Sequence, residues 1–215
     1  MHLLIDNSNT LTKFALDLGG ELSEWRGVIP TLDLSRTSVQ NTLHGRTFEK
    51  VTLCSVVPDA SNLIRSTLDQ PIHHISHHSK MPITIDYPNP SKIGADRLAN
   101  ATAAILDCQG PAIVIDFGTA VTFDVLSKAG SYLGGVIAPG TASLRDYLHQ
   151  KTALLPAIQL EEPNSAIGRS TEEAMQVGAV IGYRGLIREI LNEVRLELGG
   201  EPKIFATGGD AELIG

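Results

Sequence analysis

Residues 3–14, LLIDNSNTLTKF, set an apolar run against five short polar residues and then return to an apolar pattern. Asn, Asp and Ser hydrogen-bond their own backbone and tolerate unusual backbone angles, so residues 6–10 read as a tight turn between two strands. Hydroxyls, amides and backbone N–H groups then cluster at the tip, which suits an anion or a metal-bound phosphate. A second segment, IVIDFGTAVTFD at 113–124, repeats the design 110 residues later: Asp116 falls on Asp6, Gly118 on Ser8, Thr119 on Asn9 and Thr122 on Thr12. One hairpin tipped with Asp is commonplace and is satisfied by an Asp that caps its own turn. Two in one register with matching flanks point to two similar halves, and we expect domains at 1–111 and 112–215.

The totals agree with such a molecule. A chain of 215 residues with 42% apolar and 19% charged residues is globular, with enough apolar material for a real core. The net charge of −7 and the lack of any basic run exclude nucleic acid as the main partner. Cys54 and Cys108 sit among apolar neighbours at a spacing unlike zinc or redox motifs, so both are expected to be reduced, buried thiols. The first residues lack the basic start and cleavage site of a signal peptide, and nothing approaches about 18 uninterrupted apolar residues. A cytoplasmic protein with no membrane partner is expected.

The remaining chain alternates strands and helices. VTLCSVV (51–57) reads as a strand, Pro58 and Asp59 as a turn, and 60–68 as a helix with Ile64 and Leu68 four apart. PITIDYP (82–88) is a short extended segment. Residues 94–106 form a helix with Asp96 in its first turn, where a carboxylate meets the positive end of the helix dipole. SYLGGVIAPG (131–140) is a strand, and 141–155 and 171–198 are helical. The last of these carries Gly178, Gly182 and Gly185 at spacings that admit another backbone or helix. PKIFATGG (202–209) returns to a strand. The class is α/β.

Three carboxylates stand after strands or at a helix start: Asp6, Asp96 and Asp116. If the two halves close like a clamp, Asp6 and Asp116 suit a phosphate chain held with a divalent cation. Lys13, leaving the first turn, can reach a phosphate, and Gly208 with Gly209 lets a ring or phosphate approach the backbone. No Walker, dinucleotide or protein-kinase glycine motif is present, so any ATP is handled by another architecture. His73, His74, His77 and His78 invite a metal reading. We set it aside, because Pro71 precedes them, no carboxylate or Cys is interleaved, and an exposed loop or edge strand accounts for them.

DNSNTLTK, YPNPSKIGADRLANA, DFGTAVTFD, GSYLGGVIAPG, KTALLP, GRSTEEAMQVGAVIGYRGLI and ATGGDA follow one another in an order that resembles type III pantothenate kinase, from residue 3 to 211. GADR and DFGTA at their mutual spacing are its most specific parts. The resemblance implies the acetate and sugar kinase, Hsp70 and actin superfamily, with two ribonuclease-H-like domains and a nucleotide cleft between them. It implies a homodimeric enzyme that uses ATP with Mg2+ and a monovalent cation, K+ or NH4+, to phosphorylate the primary hydroxyl of pantothenate on the way to coenzyme A. Carried over, Asp6, Asn7, Ser8, Asn9, Thr10, Leu11, Thr12 and Lys13 resemble the first phosphate loop, with Asp6 serving Mg2+ directly or through water. Asp96 resembles the general base. Tyr87, Gly94, Ala95, Asp96 and Arg97 match pantothenate-binding positions, with Arg97 suited to the substrate carboxylate. Asp116 matches the monovalent-cation ligand, Thr119 an ATP-phosphate contact, and Thr171 a substrate contact made across the subunit boundary.

Two departures stand out. The family loop reads D-x-G-N-T, whereas Ser8 fills the glycine position here, and a positive φ there would cost about 1 kcal/mol. The sequence also stops at Gly215, where a further helix is expected. Both features leave room for a nucleotide-binding regulator related to transcription accessory factors, and the superfamily also admits a kinase for another small alcohol.

Overall fold

The computed structural model describes residues 1–108 and 110–215. Contacts gather the chain into two compact units, Met1–Met81 with Pro88–Asn100 and Pro82–Tyr87 with Ala101–Gly215. Each unit carries a five-stranded sheet.

In the first unit, β1 (His2–Asn7), β2 (Leu11–Asp17) and β3 (Leu22–Pro30) form an antiparallel meander, and β4 (Lys50–Ser55) and β5 (Ile72–His74) add in parallel beside β1. The order is β3-β2-β1-β4-β5. Leu3 and Ile5 alternate with solvent-facing neighbours, so one face of β1 is buried, and Phe14, Leu16, Val51 and Leu53 continue that face across the sheet. Val39 and Leu43 of α1 (Arg36–Leu43) and Ile64 of α2 (Pro58–Thr67) close over it. Each such side chain contributes about 1.5–3 kcal/mol by leaving water. Ser35 and Ser38 form a capping box that starts α1. Helix α2 begins earlier than the sequence suggests: Pro58 and Asp59, read there as a turn, are its first two residues. Proline tolerates that position because its missing N–H would have no helical partner.

The second unit repeats the meander with β7 (Ala112–Phe117), β8 (Ala120–Leu126) and β9 (Ser131–Pro139). Strand β10 (Lys203–Gly208) pairs in parallel with β7, as β4 does with β1, and β6 (Thr84–Ile85) pairs in parallel with β9. The order is β10-β7-β8-β9-β6. Strands 3-2-1-4 of the first sheet therefore recur as β9-β8-β7-β10. Ile113, Ile115, Phe117, Val121 and Phe123 pack against Val180, Tyr183 and Ile187 of α5 (Thr171–Leu198). Helix α5 matches the expected span at both ends: Ser170 Oγ accepts from the Glu173 N–H, and Gly199 stops it at a left-handed φ of 67°. Helix α4 (Thr141–Lys151) ends before the expected 155, α3 (Ala95–Asp107) runs from the first unit's residues into the second's, and α6 (Ala211–Ile214) follows β10. Among the described residues no helix is long and apolar enough to cross a membrane.

The repeat is real but shifts by one residue past its turn. Asn7 faces Thr12 across the first hairpin, whereas Phe117 faces Val121 across the second. The second turn is one residue shorter, so the buried partner of Thr12 is Val121, and the expected match of Thr12 to Thr122 does not hold. Both cysteines are free but only half-buried. His74 ends edge strand β5, and among the described residues no three His, Cys, Asp or Glu side chains gather to hold a metal ion.

Candidate active site

The pleat of β1 sends Asp6 and Asn7 to opposite faces. Asp6 is exposed, and its ladder neighbours on that face are Lys13 of β2, also exposed, and Cys54 of β4. Asn7 is 1% exposed and points the other way. Its amide donates to Thr12 Oγ1 at 2.8 Å, and its Oδ1 accepts from Ser55 Oγ at 2.6 Å. Asn7 and Thr12 therefore brace the turn from within, and what they offer a ligand is backbone. Asn9 and Thr10 are exposed at the tip.

Ser8 is not strained. Among the described residues only glycines have a positive φ, so the penalty anticipated for a side chain at this position is absent. Ser8 closes the turn instead: its N–H and its Oγ each donate to Leu11 O at 3.0 Å. Thr31 holds the turn from outside, donating through Oγ1 to Ser8 O at 2.8 Å and through N–H to Thr10 O at 2.9 Å.

The second carboxylate of this unit enters on α3. Gly94 O accepts from Leu98 N–H at 3.2 Å to begin the helix, and Asp96 Oδ1 accepts from the Arg97 backbone N–H at 2.8 Å. Asp6 is the ladder neighbour of Cys54, and the charge of Asp96 also acts on that thiol. Burial pushes the Cys54 thiol up to about 12, with the charges of Asp6 and Asp96 adding to it. Two carboxylates that lie 90 residues apart in the chain thus bear on one sulfur. The thiol stays protonated through neutral pH, and iodoacetamide at pH 8 is expected to leave the Cys54 peptide unmodified by mass spectrometry.

Gly94 matters through space. A Cβ built there would overlap Asp96 Oδ1, with Val56 Cγ1 also near at 3.6 Å. Gly94→Ala is expected to swing the Asp96 carboxylate aside and lower kcat about tenfold, with an unchanged melting temperature; wild-type kcat in a folded variant would refute the arrangement.

In the second unit, Asp116 is half-buried near the end of β7, with Thr122 and Thr207 as its ladder neighbours. Thr119 is exposed in the following turn. The start of α4 is pressed against that turn: Gly140 N–H donates to Thr119 O at 3.2 Å, and a Cβ at Gly140 would fall on the carbonyl oxygens of Gly118 and Thr119. Thr141 Oγ1 donates to Asp210 Oδ2, which ties α4 to the cap of α6. The start of α4, itself held by Asp210, thus packs on the turn that carries Asp116 and Thr119. Neither Gly140 nor Cys54 was singled out from the sequence for this role.

Tyr87 lies with the second unit, 6.3 Å from the Tyr132 ring in an edge-on contact, and packs on β9 where Gly134 leaves room for it. Thr171 begins α5 and lines, with Arg145, Leu148, Leu155, Met175 and Gly178, an apolar groove of about 630 Å³. The connection from α4 is held along α5 by a two-pronged Arg184–Glu162 pair at 2.9 and 2.6 Å.

Two α/β units share a 3-2-1-4 strand order, and each carries a hairpin with an Asp before its turn, which makes a duplicated α/β fold. Solved structures with this fold include a protein assigned to the Baf family of transcriptional activators from Campylobacter jejuni, at 18% identity and a TM-score of 0.62 over 99% of this chain and 85% of that one. A protein assigned as a 2-dehydro-3-deoxygalactonokinase from Sinorhizobium meliloti aligns at 12% identity and a TM-score of 0.56, over 99% of this chain and 95% of that one. At such identities the likeness carries the fold alone. The family model for type III pantothenate kinase matches residues 2–193. The type III pantothenate kinase of Akkermansia muciniphila is 51% identical over 213 residues, covering 99% of this chain and 88% of that one. The chain belongs to the type III pantothenate kinase family.

Proposed function

We propose that this chain is a kinase that transfers the terminal phosphoryl group of ATP to the primary hydroxyl of pantothenate, opening the route to coenzyme A. The observation that carries the proposal is the family match along residues 2–193, together with the exposed Asp6 beside Lys13 at the polar turn of β1 and β2. Phosphoryl transfer asks mainly for alignment and charge neutralisation. In this reading the backbone of residues 6–13, Lys13 and Thr119 hold the phosphates. The donor set fits a cation-bound polyphosphate, because Asp6 offers an exposed carboxylate beside Lys13, and Asn9 and Thr10 are exposed at the tip of the same turn. Asp6 would hold Mg2+, directly or through water, and Asp116 a monovalent cation, K+ or NH4+, which would supply positive charge to the phosphates when bound.

Asp96 takes the proton from the pantothenate hydroxyl, for which it must lie within about 3 Å of that oxygen. Arg97 pairs with the substrate carboxylate, while Gly94, Ala95 and Tyr87 complete the pantothenate site. We take 1–111 and 112–215 as the two halves of the repeat, and the cytoplasm as the place of action. With ATP, Mg2+ and K+, the purified chain is expected to convert pantothenate to 4′-phosphopantothenate and to leave simple sugars unreacted. Binding of ATP with no alcohol phosphorylated would overturn the proposal in favour of a regulator.

The enzyme acts as a homodimer, with Thr171 reaching the substrate of the partner copy. Support comes from α5, where Gly178, Ile181, Gly182 and Gly185 fall on one helical face and a Cβ at any of the three glycines would meet nothing within 4 Å. Glycine weakens a helix by about 1 kcal/mol relative to Ala, and nothing in a single chain offsets that. Gly182→Leu gives opposite signs for the two cases. A lone chain gains about 0.5–1 kcal/mol of stability, whereas a dimer packed on this face dissociates and loses activity. Sedimentation is expected to show monomers; a persistent dimer with raised stability would remove α5 from the interface.

A further inference from the structure

Beside the end of β4, between α2 and edge strand β5, a hollow of about 330 Å³ is lined by Ser55, Ser61, Asn62, Arg65 and His74. It belongs to the sheet face that carries Asn7, opposite the face of Asp6 and Cys54, and none of these side chains has a part in the chemistry above. Its size is at the lower end for ligand sites, and Val56 and Pro58 give it apolar wall beside the polar side chains. His74 Nε2 is buried with no hydrogen-bond partner, a condition that a ligand or an ordered water would satisfy. Arg65 lies near enough for its charge to act on the imidazole, so the local field is positive.

We infer that this hollow binds a small phosphate-class oxyanion through His74 Nε2–H, the Arg65 guanidinium and the Asn62 amide, and that its occupancy is transmitted to the Ser8 turn. Anion recognition by a guanidinium and an imidazolium is charge-assisted and directional. The route to Ser8 is a hydrogen-bond relay in which each group donates to the next. Ser61 Oγ donates to Ser55 Oγ at 2.7 Å and Ser55 Oγ to Asn7 Oδ1 at 2.6 Å. The Asn7 amide donates to Thr12 Oγ1 at 2.8 Å, Thr12 Oγ1 lies 3.1 Å from Thr31 Oγ1, and Thr31 Oγ1 donates to Ser8 O at 2.8 Å. Because Thr31 spends its hydrogen on Ser8, Thr12 must be the donor between the two threonines. An anion that draws the Ser61 hydrogen into the hollow removes the first link, and the buried links beyond it weaken together. Binding in the hollow does not depend on the kinase reading; only its catalytic consequence does.

His74 also sets a pH dependence. Burial, then Arg65 on α2, then His73 on its own strand lower its pKa below the ordinary histidine range, and its ladder partner Leu53 on β4 is apolar. A bound anion favours the protonated ring, so affinity rises as pH falls.

The test is a titration of the full-length protein with inorganic phosphate, followed through the His74 imidazole and Ser8 amide NMR signals, the former assigned with His74→Gln. Both signals should move and saturate together, and with sulfate, whose charge is constant over this range, binding should be tighter at pH 6 than at pH 8. Arg65→Gln should weaken binding about tenfold, and Asp6→Asn should leave it unchanged, which separates this site from the phosphate loop. Ser61→Ala should retain binding while the Ser8 amide stays still. Methyl phosphate binding more tightly than phosphate would identify a phosphomonoester as the natural ligand, and the reverse would identify the free ion. A His74 signal unmoved at both pH values, or equal affinity in Arg65→Gln, overturns the site; a Ser8 amide that ignores saturation in the unmodified chain overturns the coupling.

Discussion

Asp96→Asn is expected to lower kcat by about 10²–10⁴-fold, the usual contribution of a positioned general base, while pantothenate still binds and the protein melts at its normal temperature. The substitution keeps shape and the backbone contact, because an Asn oxygen can still accept from the Arg97 N–H that Asp96 Oδ1 engages at 2.8 Å. It removes the negative charge and the capacity to take a proton. A second readout separates loss of a base from a disturbed helix start. Asp96 is one of the two charges that raise the Cys54 pKa, so its neutralisation must lower that pKa. Alkylation of Cys54 at pH 9–10 should therefore speed up in the variant. A variant with unimpaired kcat refutes the base assignment, and one with impaired kcat but unaltered Cys54 reactivity refutes the proximity of the two groups.

What the sequence disclosed follows the range of the forces involved. The hairpins were legible because apolar runs and turn chemistry are local: Leu3, Leu4 and Ile5 run into a row of turn formers, and an apolar pattern through Phe14 follows it. The boundaries of α5 were legible for the same reason, since Ser170 and Gly199 start and stop it through their own backbone. A row of polar letters does not reveal which way each points. Asp6 and Asn7 look interchangeable in the string, yet the pleat gives one to solvent and the other to the interior. The shift after the second turn was hidden because a turn can lose a residue without changing its composition.

Cys54 was illegible as a site residue because parallel pairing of β4 with β1, a long-range event, brings it beside Asp6. Pro58 was read as a turn, since proline signals equally the end of a strand and the first residue of a helix. The glycines of α5 were legible as small residues, but only the structure shows that the space above them is open within one chain.

Gly140→Ala is expected to do more damage than its single methyl suggests, and for a reason of space rather than conformation. Gly140 has φ −70° and ψ 166°, which any residue adopts, so no backbone strain arises there. The added Cβ instead falls on the carbonyl oxygens of Gly118 and Thr119, atoms of a backbone turn that cannot step aside as a flexible side chain would. Overpacking of this kind costs about 1–3 kcal/mol, or a fall in melting temperature of about 2–12 °C for a chain of this size. The turn that gives way is the one carrying Thr119 and flanking Asp116, so the KM for ATP should rise about tenfold while that for pantothenate changes little. Gly200→Ala is the control: its Cβ would meet nothing within 4 Å, and both quantities should stay near wild type. Were Gly140→Ala to match that control in melting temperature and ATP KM alike, the close packing of α4 on the Asp116 turn would have no bearing on nucleotide binding.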